Sequence, residues 1–305
     1  MTGAAWAPYT DLAPGLVSRL EAAGLEPRAV HEAVVTALEE DCPVEDVTSV
    51  ATIPEAQTAA AELVARADGV LAGLDVAETV FGVVLGRSVT VDRPVTDGAE
   101  IRRGDVVLRV RGPVRLLLTA ERTALNFLCH LSGVATATRA WVRALEGTGA
   151  QVRDTRKTTP HFRALEKYAV RCGGGVNHRA TLSDQALIKD NHVLAAGGVV
   201  PAYEAFRARY PDLPVQVEVT TLEQLRELLE AGAEQILLDN MDTPTMRQAV
   251  AITQGRAKLE ASGGLSVDRA REVAETGVDY LAVGALTHSA PVLDLAMDLR
   301  DETTA

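Results

Sequence analysis

Three acidic residues in the second half of the chain, Glu218, Asp239 and Glu260, stand 21 residues apart, each closing a short apolar run: VQVEV, QILLD and AKLEA. Between the runs lie segments with apolar residues on a helical period, such as TLEQLRELLEAGA and SVDRAREVAETGV. A strand of about five residues followed by one amphipathic helix is a βα unit, and consecutive units stack their strands in parallel. Further strands are expected at QVRD (151–154), ALIK (186–189) and YLAVG (280–284). Equal spacing puts the acids at one level and favours a closed barrel, whose strand ends share a mouth, over an open doubly wound sheet. Only six or seven strands can be counted, so the expected fold is α/β with an incomplete six- to seven-stranded α/β barrel.

The first half has a different texture. From about Glu55 to Leu118 the chain reads as short runs (AAAELVARADG, GVLAGLDVAE, RSVTVDRPVTDG, AEIRRGDVVLRVRG) broken at Asp-Gly and Arg-Gly. That pattern predicts a small, mostly antiparallel sheet, with a helix over Pro27–Glu40 packed against it. A helical pattern then runs from Leu116 to Leu145 with a break at Ser132-Gly133. The boundary is placed there: a smaller α/β sandwich domain over 1–131 and the barrel over 132–305, with the last helix packing back on the first domain.

Charge narrows the function. The chain carries a formal net charge of −12. Between Arg153 and His192, however, eight Lys/Arg face four acids, so this stretch is +4 and the remainder −16. An acidic protein with one local basic cluster does not offer the broad basic face that nucleic acid requires; a small anionic ligand fits the cluster. No apolar stretch reaches the roughly 18 residues of a membrane span. Cys42, Cys129 and Cys172 form no CxxC pair, and they read as small buried hydrophobes in a reducing cytoplasm. The N-terminus shows no basic stretch followed by an apolar core, as a secretory leader would.

If the strand ends share a mouth, Arg156 and Lys157 reach it from the first strand, Lys189 from the second, and Glu218, Asp239 and Glu260 from the next three. So many charges at one rim are costly as scaffolding unless paired or liganded. Two neighbouring carboxylates suit Mg²⁺, which keeps waters and takes substrate phosphates as ligands. Arginine suits a planar carboxylate or a phosphate. Ser262-Gly263-Gly264 and Gly284 follow late strands, where glycine lets backbone N–H groups approach phosphate oxygens. His178 and Arg179 follow the glycine-rich GGGVN stretch, expected to fold over the mouth as a loop. His161 is expected to cap the helix HFRALEKYAVR, and His192 to orient the loop after Lys189. A Schiff-base aldolase using Lys157 or Lys189, and a non-catalytic binder of a pyridine carboxylate, are alternatives.

Taken together, ERTALNFLCHLSGVAT (121–136), DTRKTTPHFRALEKYAVRCGGGVNHR (154–179), LIKDNH (187–192), VEVTTLEQ (217–224), ILLDNM (236–241) and LEASGG (259–264) resemble the quinolinate phosphoribosyltransferase family, also called nicotinate-nucleotide pyrophosphorylase. The resemblance implies an α/β sandwich joined to an incomplete α/β barrel and a homodimer with shared active sites. It implies the transfer of phosphoribosyl from phosphoribosyl pyrophosphate (PRPP) to quinolinate with decarboxylation, giving nicotinate mononucleotide for NAD synthesis. By the same resemblance, Arg156, Arg179 and Lys189 hold the quinolinate carboxylates, with Thr155 and His178 beside them, and Arg122 is donated by the partner chain. Lys157 bridges the two substrates, and Glu218 and Asp239 serve Mg²⁺ and the ribose. Ser262, Gly263, Gly264 and Gly284 take the 5′-phosphate. Lys157 or Lys189 assists decarboxylation. The chain departs from the family's Gly-Asp pair before Thr-Ser, having Glu45-Asp46-Val47-Thr48-Ser49 instead.

Overall fold

A computed structural model describes residues 6–86 and 89–300. The chain divides into two compact units. The first comprises Met1–Ala137, Ala164–Gly173 and Ala290–Ala305. Its helices α1 (Pro14–Ala22), α2 (Pro27–Asp41) and α3 (Val47–Thr52) lead into β1 (Thr58–Ala65), β2 (Gly69–Val70) and α4 (Leu74–Leu85). Then come β3 (Thr90–Asp92), β4 (Glu100–Ile101), β5 (Val106–Pro113) and the long helix α5 (Val114–Ala144). A four-stranded sheet of order β12-β1-β5-β3 includes β12 (Leu295–Arg300) from the chain's far end, and β2 pairs β4. All these pairings are antiparallel, as the alternating pattern predicted.

Three expectations for this unit are corrected. GVLAGLDVAE is strand only at its first two residues, β2; from Leu74 on it opens α4, whose residues from Leu74 to Ala77 are all buried. A helix buried on most sides loses the polar stripe that reveals its period. Asp97 starts it, accepting from the N–H groups of Gly73 and Leu74, while Gly73 adopts a φ of 100°. Helix α5 runs unbroken through Ser132-Gly133. Gly133 is there for clearance, since a Cβ would overlap the Pro291 carbonyl and stand 2.9 Å from the Val292 Cα. Among the described residues the last element is a strand, β12, rather than a helix. At Glu45-Asp46 the turn is a helix cap: Asp46 accepts from Ser49 N–H at 3.0 Å and Ser49 Oγ at 2.5 Å. The unit also takes nearly all of α6 (Arg163–Cys172), which the sequence reading assigned to the barrel domain.

The second unit, Thr138–Arg163 and Gly174–Ser289, holds a six-stranded parallel sheet. Its order is β6 (Gln151–Arg153), β11 (Tyr280–Ala282), β10 (Lys258–Ser262), β9 (Gln235–Asp239), β8 (Val215–Val219), β7 (Ala186–Ile188). Helices α7 (Asp190–Ala196) and α8 (Val199–Arg209) follow β7, and α9 (Leu222–Glu230), α10 (Thr243–Thr253) and α11 (Val267–Ala274) follow β8, β9 and β10 in turn. Thr221 and Gln224 cap α9 reciprocally, and Asp242 caps α10. Val217, Val219, Ile236, Leu238 and Leu281 are fully buried; each such side chain contributes about 1.5–3 kcal/mol. Beyond β6, Val176 makes a single parallel bridge with Arg153, and the described residues pair no further toward β7. The barrel is therefore incomplete. The GGGVN stretch does not fold over the mouth: Val176 donates to Val152 O and accepts from Asp154 N–H, extending the sheet.

Register refines the level of the three acids. Glu218 and Glu260 both pair with Leu237, whereas Asp239 pairs with Ser262, two residues further along. Residues two apart on a strand face the same side, so Asp239 stands one layer nearer the strand ends than the other two. Equal spacing in sequence did not give equal height, because the runs enter the sheet at different offsets.

Candidate active site

At the carboxyl ends of these strands lies a cavity of about 810 Å³. Thr155, Arg156 and Lys157 enter it from the loop after β6, and His178 and Arg179 from the segment bridged to that strand. Lys189, the residue after β7, adds a fourth long cationic side chain to those of Arg156, Lys157 and Arg179. Glu218 and Asp239 line the cavity from β8 and β9, and Ser262, Gly263, Gly264 and Gly284 from the ends of β10 and β11. Arg122 is the exception. It is exposed on α5 in the other unit and does not line this cavity.

The cations are held close without being neutralised. Among the described residues, Arg156, Lys157 and Arg179 make no ion pair with a carboxylate, and Arg156 Nε is buried with no hydrogen-bond partner. Burial first, then the nearby charge of Arg156, holds the Arg179 guanidinium below its ordinary value. Lys189 Nζ stands 3.4 Å from Glu218 Oε2. Burial raises the Glu218 carboxyl; Lys189 opposes that rise and Asp239 adds to it. Positive charge crowded into a cleft with donors left open is an arrangement completed by an anion.

Positioning follows from the chain around these groups. Asp154 is fully buried, and it accepts from Asn177 Nδ2 at 2.5 Å and from the His178 N–H at 2.8 Å. His178 is engaged at both nitrogens: Nδ1 accepts from the Arg179 N–H at 2.7 Å, and Nε2 lies 2.7 Å from Gln216 Oε1. Since Nδ1 accepts, the proton sits on Nε2 and points at Gln216. Arg163 donates to Thr158 Oγ1 and to the Ala180 carbonyl, tying the Arg156 loop to the Arg179 segment. Thr287 Oγ1 donates to the Lys157 carbonyl at 2.8 Å. His192 Nδ1 accepts from the Lys189 N–H at 3.0 Å, the loop-orienting contact expected of it. His161 precedes α6 with a φ of 65°.

Two glycines shape the mouth. Gly263 has a φ of 99°, and a Cβ there would overlap the side chain of Asn240. Gly284 has an ordinary φ of −67° and is required for space: a Cβ would stand 2.9 Å from Lys157 Cδ.

Glu260 differs from the other two acids. It is 1% exposed and pairs with Arg153 at 2.8 Å, while Arg153 stacks over Tyr280 at 3.8 Å. It forms the floor of the cavity as part of a structural ion pair. Sequence reasoning missed Asn240, Asp190 and His288, which also line the cavity. An asparagine directly after a strand-end acid marks a left-handed turn and could have been noticed; His288, in the short helix α12 (Ala285–His288), carried no signal. The thiols take no part: burial raises Cys129, and pushes Cys172 up to about 12.

A parallel barrel whose strand ends carry cations without carboxylate partners, two carboxylates and a glycine loop defines a protein that takes polyanionic ligands at that mouth. Residues 46–132 match the family described as quinolinate phosphoribosyl transferase, N-terminal domain, and residues 134–298 match its C-terminal domain. The chain belongs to the quinolinate phosphoribosyltransferase family. It is 51% identical to the nicotinate-nucleotide pyrophosphorylase [carboxylating] of Mycobacterium leprae, over 89% of this chain and 95% of that protein. The crystal structure of NadC from Streptococcus pyogenes superposes with a TM-score of 0.87 at 43% identity, covering 90% of this chain and 98% of that one. The nicotinate-nucleotide pyrophosphorylase from Francisella tularensis gives a TM-score of 0.86 at 33% identity, over 98% and 100% of the two chains. Among the described residues, no helix is long and apolar enough to cross a membrane.

Proposed function

We propose that this chain joins the ring nitrogen of quinolinate to C1 of the ribose of PRPP. Pyrophosphate leaves, the 2-carboxylate departs as CO₂, a proton takes its place on the ring, and nicotinate mononucleotide results, in the cytoplasm. The observation that carries the reading is the crowding of Arg156, Lys157 and Arg179 without carboxylate partners in one cavity. Two polyanions repel each other, and these fixed cations cancel that repulsion and draw both in. Arg156, Arg179 and Lys189 hold the two quinolinate carboxylates beside Thr155, and His178 orients Arg179. Lys157 lies between the substrates. Ser262, Gly263, Gly264 and Gly284 receive the 5′-phosphate. As the glycosidic bond breaks, positive charge grows on the sugar, and the carboxylates of Glu218 and Asp239 stabilise it. Lys157 or Lys189 stabilises the ring carbanion left by CO₂ and supplies its proton.

Magnesium fits this donor set. No group of three His, Cys, Asp or Glu that could hold a metal by itself gathers among the described residues. Glu218 and Asp239 supply the one or two carboxylates that Mg²⁺ takes when substrate phosphates and water complete its shell. When bound, the ion neutralises charge on the leaving pyrophosphate. A homodimer, with Arg122 of each subunit completing its partner's site, accounts for an exposed arginine outside the cavity of its own chain.

The test is release of labelled CO₂ from quinolinate labelled in its 2-carboxylate, with and without PRPP and Mg²⁺. Release that depends on PRPP, together with nicotinate mononucleotide, is the expected result. No release while quinolinate still binds in calorimetry would leave a non-catalytic binder. For the shared site, inactive Arg122→Ala and Lys157→Ala chains are mixed; recovered activity is expected, and none after subunit exchange would refute it.

A further inference from the structure

Asn240, next to Asp239 at the end of β9, has a φ of 52°. Asparagine tolerates this left-handed region better than most residues, which by itself would account for its presence. Its contacts say more. Nδ2 donates to Asp239 Oδ2 at 2.7 Å, and the carboxylate fixes which end of the amide faces it, because only the NH₂ group can donate. The backbone N–H donates to the carbonyl of Ser262 at 2.9 Å. The same side chain fills the space above Gly263, where a Cβ would stand 2.5 Å from Asn240 Cγ. One residue therefore touches a strand-end carboxylate, the last residue of β10 and the glycine after it.

We infer that Asn240 is a positioning residue. Its amide holds Asp239 in one rotamer and its side chain sets the path of the 262–264 loop. The carboxylate and the loop's backbone donors are thereby presented to a single phosphorylated sugar at a fixed separation. This rests on the phosphoribosyl-transfer reading. Without the amide, Asp239 is free to sample the other staggered wells about its χ1 bond, and the loop loses the surface it lies on. The consequence is selective. Affinity for PRPP depends on Asn240, whereas affinity for quinolinate rests on Arg156, Arg179 and Lys189, none of which Asn240 is seen to contact.

Two variants of the full chain separate the roles. Asn240→Gly keeps the left-handed backbone and removes the amide; Asn240→Asp keeps size and backbone preference but replaces the donor with a second carboxylate beside Asp239. The readouts are KM for each substrate, calorimetric binding of PRPP with Mg²⁺, and Tm. Loss of one partly exposed hydrogen bond to a charged group predicts that KM and Kd for PRPP rise about 5- to 30-fold in Asn240→Gly, and further in Asn240→Asp. KM for quinolinate should stay within about twofold and Tm within about 2 °C. Wild-type PRPP binding in Asn240→Gly would overturn the inference, and so would parallel rises in both KM values with a lowered Tm. If the wild-type chain neither binds PRPP nor releases CO₂, the transfer reading itself fails and takes the inference with it.

Discussion

Replacing Arg153 by methionine should cost the second unit about 4–6 kcal/mol of stability. Arg153 and Glu260 face each other at 2.8 Å with side chains 16% and 1% exposed. At such burial the value of zero to about 1 kcal/mol for surface pairs does not apply. Methionine keeps most of the stem's volume but leaves Glu260 as an uncompensated buried charge, a change worth about 3–5 kcal/mol. The other oxygen of Glu260, Oε1, has no hydrogen-bond partner, and the nearby His178 Nε2, 3.6 Å away, is already engaged with Gln216 Oε1 at 2.7 Å. The stacking of Arg153 on Tyr280 at 3.8 Å is lost as well, at about 1 kcal/mol. Urea unfolding followed by the fluorescence of Trp141, buried in this unit, in a Trp6→Phe background would read the change. A fall of roughly 10 °C in Tm should accompany it. The double variant Arg153→Met, Glu260→Leu removes both charges and should recover most of the loss. A single variant losing less than about 1 kcal/mol, or a double variant no more stable than the single, would refute the assignment of this pair to the scaffold.

Gly284→Ala places a methyl group 2.9 Å from Lys157 Cδ on an unstrained backbone; we expect kcat/KM for PRPP to fall about tenfold or more with Tm unchanged, and a drop in Tm instead would mean the glycine serves folding. Gly133→Ala should destabilise the first unit by about 1–3 kcal/mol, measured by urea unfolding, although alanine is the better helix former, because its Cβ meets the Pro291 backbone. Glu218→Gln should abolish turnover yet raise Tm near neutral pH. The Glu218 carboxyl is raised in the fold, by burial foremost, so its ionisation opposes folding above its unfolded value of about 4.3. The wild-type stability present below that pH is lost as pH rises through the folded value, and the advantage of glutamine should shrink toward pH 4 or so in a Tm series. A glutamine variant less stable than wild type near neutral pH would contradict this.

Much of the site was legible because the relevant chemistry repeats along the chain. Each βα unit delivers the end of its strand to the same end of the sheet, so Lys189 just after β7 and the acids Glu218 and Asp239 at the ends of β8 and β9 could be assigned to one mouth from their place in the repeat. The start of helix α4 is not legible in the sequence, since a helix apolar on most faces carries no period-3.6 contrast. Gly133 was read as a helix break because sequence records that a residue lacks a side chain, not whether the reason is conformation or the passage of another segment.

The sequence alone determined the parallel barrel, its basic mouth and the pairing of two carboxylates with a glycine loop, because these follow from periodicity and charge, which are local. Only the tertiary structure decided that Glu260 belongs to the floor, that Asp239 stands a layer above Glu218, and that Gly284 makes room for Lys157. Those depend on strand register and on what lies across a few ångströms of space, and residues that meet there can be more than a hundred positions apart in the chain.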